Sequence, residues 1–409
     1  GDTMSEQIET ETQAGGLSTR AHVLLLASTF FFIFMGTGAQ QAFLVPYLGE
    51  ITDWSQFQRA LVIATVYFSM MIFRLGHVYL LRDWPQWKCS IVGGAMYVAF
   101  PIAMLGLYFL PSYPLALVAA AVWGWGGAAM WMGTALQILA LADRAKKHGT
   151  GVGVLYAATH AGWAVGVIVL GAVFSYAQAA GTTWLLYAVA TALALVGYGI
   201  MLALPRRPEP LPEMPTWAAL MEIMSRAKAR IAAFLLFSAA LAFGFVLGSF
   251  TDYVGRTHGA QWLWVATFFY PFSLFLLSFS SGLLSERVSH GSVLALGFFG
   301  GAAGMLVPLL WEHPAGLAIT ALTLGLLNGA VPVVSTALIG GSADRARRPL
   351  VYGAMFTWRD LGVVVATVAG SLLGVQAGGV AVTFGIFAAA FAVCGVIALV
   401  LNRYAKEQL

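Results

Sequence analysis

Charged residues are scarce in this chain. Asp, Glu, Lys and Arg make up only 9% of its 409 residues, while 60% of the residues are hydrophobic. A soluble globular domain carries about 25% charged residues. Because 21 basic and 17 acidic side chains are too few to cover a chain of this size in water, we expect lipid to cover most of its surface. This composition excludes a cytosolic enzyme and a nucleic-acid-binding domain, so we expect no nucleic-acid partner.

Cysteine and the common catalytic motifs are also scarce. The two cysteines, Cys89 and Cys394, lie in or at the end of apolar segments, where packing explains them. No disulfide or metal framework can be drawn from two such residues. The sequence has no phosphate-binding glycine loop, no His-Glu-x-x-His and no Gly-x-Ser-x-Gly. We therefore expect neither an enzyme nor a cofactor, and no metal site.

Long apolar runs dominate what the sequence does contain. A run of about 18 residues or more can cross a bilayer, and only helices satisfy the backbone within one such segment. The pattern predicts an all-α membrane protein with twelve transmembrane helices in two pseudo-symmetric six-helix bundles. The predicted spans are 22–47, 58–81, 89–110, 115–142, 150–178, 182–204, 229–254, 262–284, 291–311, 316–341, 350–376 and 379–402.

The basic residues predict the orientation of these spans. Of the 21 Lys and Arg residues, 17 fall on one side of the predicted topology, and basic loops mark the cytoplasmic side. An even number of spans puts both termini on that side. We therefore expect a multi-pass protein of a bacterial inner membrane with both termini cytoplasmic. The 17 are Arg20, Arg82, Lys88, Arg144, Lys146, Lys147, Arg206, Arg207, Arg226, Lys228, Arg230, Arg287, Arg345, Arg347, Arg348, Arg403 and Lys406.

A proline-rich, charged segment divides the chain into halves. The predicted organisation is a cytoplasmic N-terminal tail (1–20), a first six-helix bundle (21–204), a cytoplasmic linker (205–228), a second six-helix bundle (229–402) and a C-terminal tail (403–409). Residues 217–224 of the linker are expected to form a short surface helix.

The two halves resemble each other in sequence. Residues 143–145, Asp-Arg-Ala, recur as 344–346, and residues 153–162 align with 353–362. Weak similarity in the same orientation is what a duplicated six-helix unit leaves.

A loop motif in the second half resembles that of the major facilitator superfamily of secondary transporters. The family motif is Gly-x-x-x-(Asp/Glu)-Arg-x-x-x-Gly, and residues 282–291 match it with Glu286 and Arg287. The first copy, residues 79–88, keeps Asp83 but has Tyr79 and Trp84 in place of the glycine and the arginine. The resemblance implies a gating role for Asp83, Glu286 and Arg287. The predicted fifth helix lacks the Gly-Pro pair of family antiporters, which favours a symporter or uniporter.

Ionisable residues deep in the membrane are the main candidates for a site. A charge at the bilayer centre costs at least about 2.5–3.5 kcal/mol, so it usually faces a cavity or a partner. Arg359 and Asp360 lie near the midplane of the eleventh span, and His160 occupies the repeat-equivalent place in the fifth. Arg359 is a candidate for substrate binding or for an internal ion pair. Asp360 and His160 are candidates for proton coupling or for packing.

Further ionisable residues lie nearer the ends of the spans. Arg74, with His77 one turn on, lies about two turns from the cytoplasmic end of the second span, where we expect its side chain to snorkel to the surface. Substrate contact is the alternative for this pair. Asp252 and Arg256 have i, i+4 spacing at the outer end of the seventh span. They are expected to form an ion pair at the rim or a gate.

Uncharged polar and aromatic residues complete the candidates. Amides in lipid usually bond another helix, but some of these lie where substrate contact is expected, and several aromatics lie well inside the interfacial belts. Flat aromatic faces and one cation together suit a planar or amphipathic organic anion. The candidates for substrate contact are Gln40, Gln41, Trp123, Tyr156, Trp163, Asn328 and Trp358, with Gln137 as a weaker one.

These observations predict a monomeric secondary transporter for a small organic solute, anionic or aromatic in character. Arg359 would hold the negative group of the substrate, and Asp360 or His160 would change protonation, giving proton-coupled symport by alternating access. The alternatives are a proton-driven exporter of metabolites or drugs and a non-transporting receptor or scaffold of the same fold.

Overall fold

The described part of the chain folds into twelve long helices and one short linker helix. The computed structural model describes residues 18–145, 148–207, 216–287, 290–340, 348–376 and 379–407. The helices are α1 (Thr19–Ile51), α2 (Gln56–Leu80), α3 (Gln86–Phe109), α4 (Tyr113–Ala145), α5 (His148–Ala180), α6 (Leu185–Ala203), α7 (Ala229–His258), α8 (Leu263–Arg287), α9 (His290–Leu310), α10 (Pro314–Gly340), α11 (Arg348–Gln376) and α12 (Val380–Glu407).

Each predicted span corresponds to one helix. Within the described residues, eleven helices are long and apolar enough to cross a membrane, and α10 contributes the shorter apolar stretch Pro314–Ala330. The helix starts follow local chemistry. Ser18 accepts a hydrogen bond from the Ala21 amide at the start of α1, and Ser55 forms a capping box with Gln58 at the start of α2. Such caps satisfy amides that have no partner within the helix.

The helices are arranged as two six-helix bundles, α1–α6 and α7–α12. Across the boundary, α2 packs against α11 and α5 packs against α8. The end that carries Arg82 and Arg206 is called the basic end. The end that carries the α1–α2 and α7–α8 loops is called the opposite end.

Glycines let helices approach closely at equivalent places in the two bundles. An added Cβ at Gly162 of α5 would collide with the backbone carbonyl of Phe31 in α1, and one at Gly166 would collide with Met35. Gly362 of α11 meets the Phe237 carbonyl of α7 in the same way. Close packing of small residues is how membrane helices associate, and the equivalent pairs follow the sequence repeat.

The first helix of each bundle contains a π-helical turn, at Phe34–Gly38 in α1 and Val246–Phe250 in α7. Such turns displace carbonyls from their usual helical donors. In α1 the side-chain amides of Gln40 and Gln41 donate to the carbonyls of Thr37 and Gly38, at 2.8 and 3.0 Å. Local side chains therefore stabilise this turn.

The linker contains the predicted short helix, at Trp217–Ser225. Leu220 and Ile223 pack on α7 and on Met355 of α11, with Leu75 of α2 at the edge of this cluster. Trp217 points away from it and is 68% exposed. The linker helix therefore covers the basic end of the α2–α11 contact.

Candidate functional site

The deep acid of α11 forms an ion pair across the two bundles. Asp360 is only 1% exposed. Arg74 of α2 donates to it from Nε, and its Nη2 lies 3.3 Å from Oδ1. Two parallel contacts of this kind are the strong geometry for an arginine and a carboxylate. The pair therefore joins the first bundle to the second inside the α2–α11 contact.

The predicted snorkelling of Arg74 is wrong. Its side chain turns toward α11, and its Nη2 also lies 3.1 Å from the Met70 sulfur. A buried carboxylate within reach gives the guanidinium a better partner than the distant surface. The sequence could not show this, because Arg74 and Asp360 lie 286 residues apart.

Arg359 points in another direction from its neighbour Asp360. Successive residues on a helix are about 100° apart, and the Arg359 guanidinium lies 5.7 Å above the Phe356 ring. Arg74 lies 5.2 Å from the same ring centre. The buried Nε of Arg359 has no hydrogen-bond partner within the described part of the chain. Arg359 is close enough to Tyr67 and Tyr270 to act on them electrostatically.

The charges of this region do not balance. Among the side chains described between α2 and α11 at this depth, the guanidinium groups of Arg74 and Arg359 accompany one carboxylate, Asp360. Because an uncompensated buried charge is costly, this excess positive charge suits a ligand with one negative charge.

His160 lies between the bundles, as expected for a residue facing the pseudo-symmetry axis. Its ring hydrogen bonds to the backbone of Leu274 in α8 and lies within the electrostatic reach of Arg359. It also stacks on Tyr156 with ring centres 6.2 Å apart, and Tyr156 stacks on Trp131. The two repeat-equivalent positions therefore approach the same central region.

Four aromatic side chains from both bundles meet beside Arg359, and we call them the aromatic group: Tyr67, Trp163, Phe243 and Tyr270. Phe243 and Tyr270 are nearly parallel, with ring centres 5.8 Å apart. Trp163 lies 5.5 Å from Phe243 and 5.7 Å from Tyr270. The Tyr67 ring meets Phe243 edge-on at 5.5 Å. The group therefore offers flat apolar faces at the boundary of the two bundles.

Two of the predicted amides border the aromatic group. Gln41 accepts a hydrogen bond from the Tyr67 hydroxyl at 2.5 Å. Asn328 donates to the Tyr270 hydroxyl at 2.6 Å. Its Oδ1 and the indole nitrogen of Trp163 are buried, and no described residue forms a hydrogen bond with either atom. The region thus combines a cation, flat rings and unpaired polar atoms.

Other predicted candidates lie away from this region, inside the first bundle. Gln40 accepts from the Tyr187 hydroxyl of α6 at 2.7 Å. Trp123 is 1% exposed and packs on the Phe100 ring. Gln137 accepts from the Ser90 hydroxyl at 2.9 Å.

Two more candidates are also apart from the aromatic group. The imidazole of His77 hydrogen bonds to the Trp125 carbonyl. The Trp358 side chain is 39% exposed on the outer surface of α11.

A second cross-bundle ion pair lies at the opposite end. The predicted i, i+4 pair is confirmed, since Arg256 Nε lies 2.7 Å from Asp252 Oδ2. Arg59 of α2 also contacts Asp252, with Nη1 2.8 Å from Oδ1. Arg59 additionally donates to the Val45 carbonyl. Asp252 is 4% exposed, so this carboxylate ties α2 to α7.

The gating residues implied by the loop motif lie outside the central region, in a loop and at the end of a helix. Asp83 lies exposed in the α2–α3 turn. Glu286 and Arg287 end the described part of α8, and their side chains lie outside the part of the chain that the structure describes.

Sequence reasoning missed Arg59, Tyr67, Phe243 and Tyr270. One signal pointed toward the missed pairing of Arg74. Arg74 and Arg359 are the two bases that lie well inside the predicted spans, away from their ends, and an intramembrane base needs a partner. Nothing in a single sequence identifies which aromatic residues of different helices meet.

Comparisons with known proteins identify the fold. The sequence matches no family model and no curated protein. The nucleoside transporter NupG superposes with a TM-score of 0.73 at 11% identity, over 93% of this chain and 98% of NupG. A bacterial homologue of the human drug peptide transporters PepT1 and PepT2 gives 0.69 at 13%, over 96% and 98%.

A third solved structure names the superfamily. FucP, a major facilitator superfamily transporter in the outward conformation, gives a TM-score of 0.63 at 17% identity, over 92% of this chain and 97% of FucP. The predicted fold class is confirmed by these similarities and by the twelve helices. This chain has the fold of major facilitator superfamily transporters.

Proposed function

We propose that this protein is a secondary transporter that moves a small, negatively charged organic solute by proton-coupled symport with alternating access. The observation that carries the proposal is the excess positive charge at Arg359, beside the aromatic group and between the two bundles. The fold supports transport, and the similar structures include a nucleoside transporter and a homologue of peptide transporters. Both point to a small organic solute.

The two cross-bundle ion pairs support alternating access. Arg74–Asp360 lies toward the basic end of α2 and Arg59–Asp252 lies at its opposite end. If the bundles rock about the aromatic group, opening one end breaks the pair there and leaves the other pair formed. Because both pairs are formed together, they support an occluded state between the two open ones. Each pair then sets part of the free-energy difference between the inward-open and outward-open states.

Asp360 is the proposed proton carrier, with His160 as the second candidate. Protonation of Asp360 removes the charge that holds Arg74, so it favours separation of α2 from α11. Binding of the solute anion beside Arg359 offsets the positive charge that protonation leaves. Proton and anion therefore stabilise the same arrangement, which is the thermodynamic requirement for symport.

An uptake experiment tests the function. Purified protein is screened for thermal stabilisation by para-hydroxybenzoate, uridine and dialanine, since a ligand that prefers the folded state raises the melting temperature. The stabilising compound is then supplied in radiolabelled form to proteoliposomes with an imposed pH gradient. The wild type should accumulate it under an inward proton gradient, Arg359→Ala should lose uptake, and Asp360→Asn should lose the dependence on the gradient.

The outcomes separate the alternatives. If the wild type and both variants take up the compound equally, these residues are not the coupling site. Accumulation driven only by an outward proton gradient would indicate the exporter. Persistent absence of counterflow across the bilayer would favour a receptor or scaffold of this fold.

Orientation and assembly belong to the same proposal. The basic loops support a bacterial inner-membrane protein whose two termini are cytoplasmic, and both bundles needed for the site come from one chain, which supports a monomer. Protease protection of a C-terminal tag in sealed inverted vesicles tests the orientation, because a cytoplasmic tag is cleaved there and a periplasmic tag is protected.

A further inference from the structure

Three buried polar atoms near Tyr270 have no hydrogen-bond partner among the residues that the structure describes. They are Arg359 Nε, the Trp163 indole nitrogen and Asn328 Oδ1. Asn328 is 3% exposed and Trp163 is 7% exposed. Buried polar atoms are nearly always paired, and leaving one unpaired is costly. Unpaired atoms on side chains that share the neighbour Tyr270 therefore point to a ligand site.

The side chains that carry these atoms each interact with Tyr270. Asn328 Nδ2 lies 2.6 Å from the Tyr270 hydroxyl, and the Trp163 ring centre lies 5.7 Å from the Tyr270 ring centre. Arg359 acts on Tyr270 electrostatically. Trp163 comes from the first bundle, whereas Asn328 and Arg359 come from the second. A ligand that pairs with all three would join the bundles directly.

The chemistry of these groups restricts the ligand. The aromatic group presents flat faces, which favour a planar ring. With Asp360 ionised and paired with Arg74, Arg359 supplies one uncompensated positive charge that a monoanion balances, whereas a dianion would leave one negative charge in excess. A planar carboxylate also matches the arginine fork.

The unpaired amide requires one more feature of the ligand. With Nδ2 donating to Tyr270, Asn328 Oδ1 needs a donor, while the Trp163 N–H needs an acceptor. A hydroxyl group is both. It would also satisfy Asn328 if the amide were turned around, because it both donates and accepts.

We propose that this site takes a planar aromatic monocarboxylate with a hydroxyl group on its ring. The carboxylate pairs with Arg359, the ring lies against the aromatic group, and the hydroxyl group reaches Asn328 and Trp163. This inference rests on the proposed transport function and names its substrate class.

A set of four matched probes tests the class with the wild-type protein alone. Para-hydroxybenzoate has all three features. Benzoate lacks the hydroxyl, para-hydroxybenzamide lacks the charge, and cyclohexanecarboxylate lacks both the hydroxyl and the flat ring. Calorimetry on the purified full chain should show para-hydroxybenzoate binding most tightly. Loss of the hydroxyl should weaken binding about two- to ten-fold, and loss of the charge should weaken it at least about ten-fold.

Variants then assign each feature to its residue. Asn328→Ala should reduce the preference for para-hydroxybenzoate over benzoate, while its affinity for benzoate stays that of the wild type. Arg359→Gln should bind the carboxylate and the amide equally. Trp163→Phe should weaken the binding of para-hydroxybenzoate. The control Trp358→Phe, at a position 39% exposed on the outer surface, should leave this affinity unchanged.

The result that overturns the substrate class is distinct from failure of the transport function. Equal affinity for para-hydroxybenzoate and para-hydroxybenzamide, or no binding of any of the four probes, overturns the class. If uridine or dialanine nevertheless shows counterflow in proteoliposomes, secondary transport stands, whereas the anionic character of the solute and the hydroxylated aromatic class are both wrong.

Discussion

Two arginines lie near Asp360, and it pairs with the one that is distant in sequence, Arg74. Its chain neighbour Arg359 leaves the helix about 100° away, whereas Arg74 approaches from α2 and makes two contacts. The helical geometry thus sends one arginine to the carboxylate and leaves the other beside the aromatic group. The excess charge is a direct consequence of this local arrangement.

Removing the carboxylate should cost more stability than removing its partner. Asp360→Asn leaves both guanidinium groups uncompensated, whereas Arg74→Gln leaves the carboxylate with Arg359 as its nearest positive charge. Breaking a buried pair costs about 3–5 kcal/mol, so both variants should melt below the wild type, with Asp360→Asn the lower.

Melting temperatures in detergent measure this difference. The exposed Arg82→Gln is the control and should melt like the wild type. An Arg74→Gln variant less stable than Asp360→Asn would contradict the charge argument.

At the level of single residues, depth was readable from the sequence but direction was not. Counting along α11 and α5 predicted that Arg359, Asp360 and His160 lie near the midplane, because a rise of about 1.5 Å per residue converts position into depth. The pairing of Arg74 and the meeting of Tyr67 with Phe243 depend on how separate helices are rotated against each other. A single sequence carries no measure of that rotation.

At the level of elements, the repeat in the sequence reappears as equivalent helix contacts. Gly162 lets α5 pack closely against α1, and Gly362 lets α11 pack closely against α7. These helices carry His160 and Arg359, two or three residues away, so the same contacts fix the height and rotation of the site residues.

Substituting these glycines should destabilise both bundles. Gly162→Ala and Gly362→Ala push a methyl group into the backbone of the facing helix, which costs about 1–3 kcal/mol. Gly199→Ala in α6 is the matched control, since an added Cβ there meets nothing within 4 Å. It should be neutral or stabilising because alanine favours a helix more than glycine does.

Thermal unfolding of the four proteins checks this expectation. If Gly199→Ala lowers the melting temperature as much as Gly162→Ala, the loss comes from the helix backbone and not from the contact.

The predictability of the elements follows from the same physics. The length and apolar character of the spans predicted all twelve helices, because lipid requires the backbone to be satisfied within each segment. The π-helical turns of α1 and α7 were not predicted. They depend on side-chain packing around Phe34–Gly38 and Val246–Phe250, and they leave the hydrophobic pattern of the helix unchanged.

At the scale of the whole molecule, α2 holds the first bundle to the second at both ends. Arg59 and Arg74 lie 15 positions apart on this helix, and each contacts a buried carboxylate of the other bundle. Nothing in the sequence connected either arginine to the second half. Cross-bundle contacts follow from the relative placement of the bundles, which differs between the states of an alternating-access transporter.

Loss of Arg59 should open the opposite end. Arg59→Ala removes the cross-bundle contact of Asp252, whereas Arg256→Ala removes a contact within α7 from a side chain that is 54% exposed. Exposed pairs contribute little, about 0–1 kcal/mol.

A reporter cysteine measures the opening with a membrane-impermeant maleimide. It replaces Ser249, which is 3% exposed on α7, in a background of Cys89→Ala and Cys394→Ala. Labelling should be several-fold faster in Arg59→Ala than in the parent, and unchanged in Arg256→Ala, whereas equal rates in all three would mean that this ion pair does not control access.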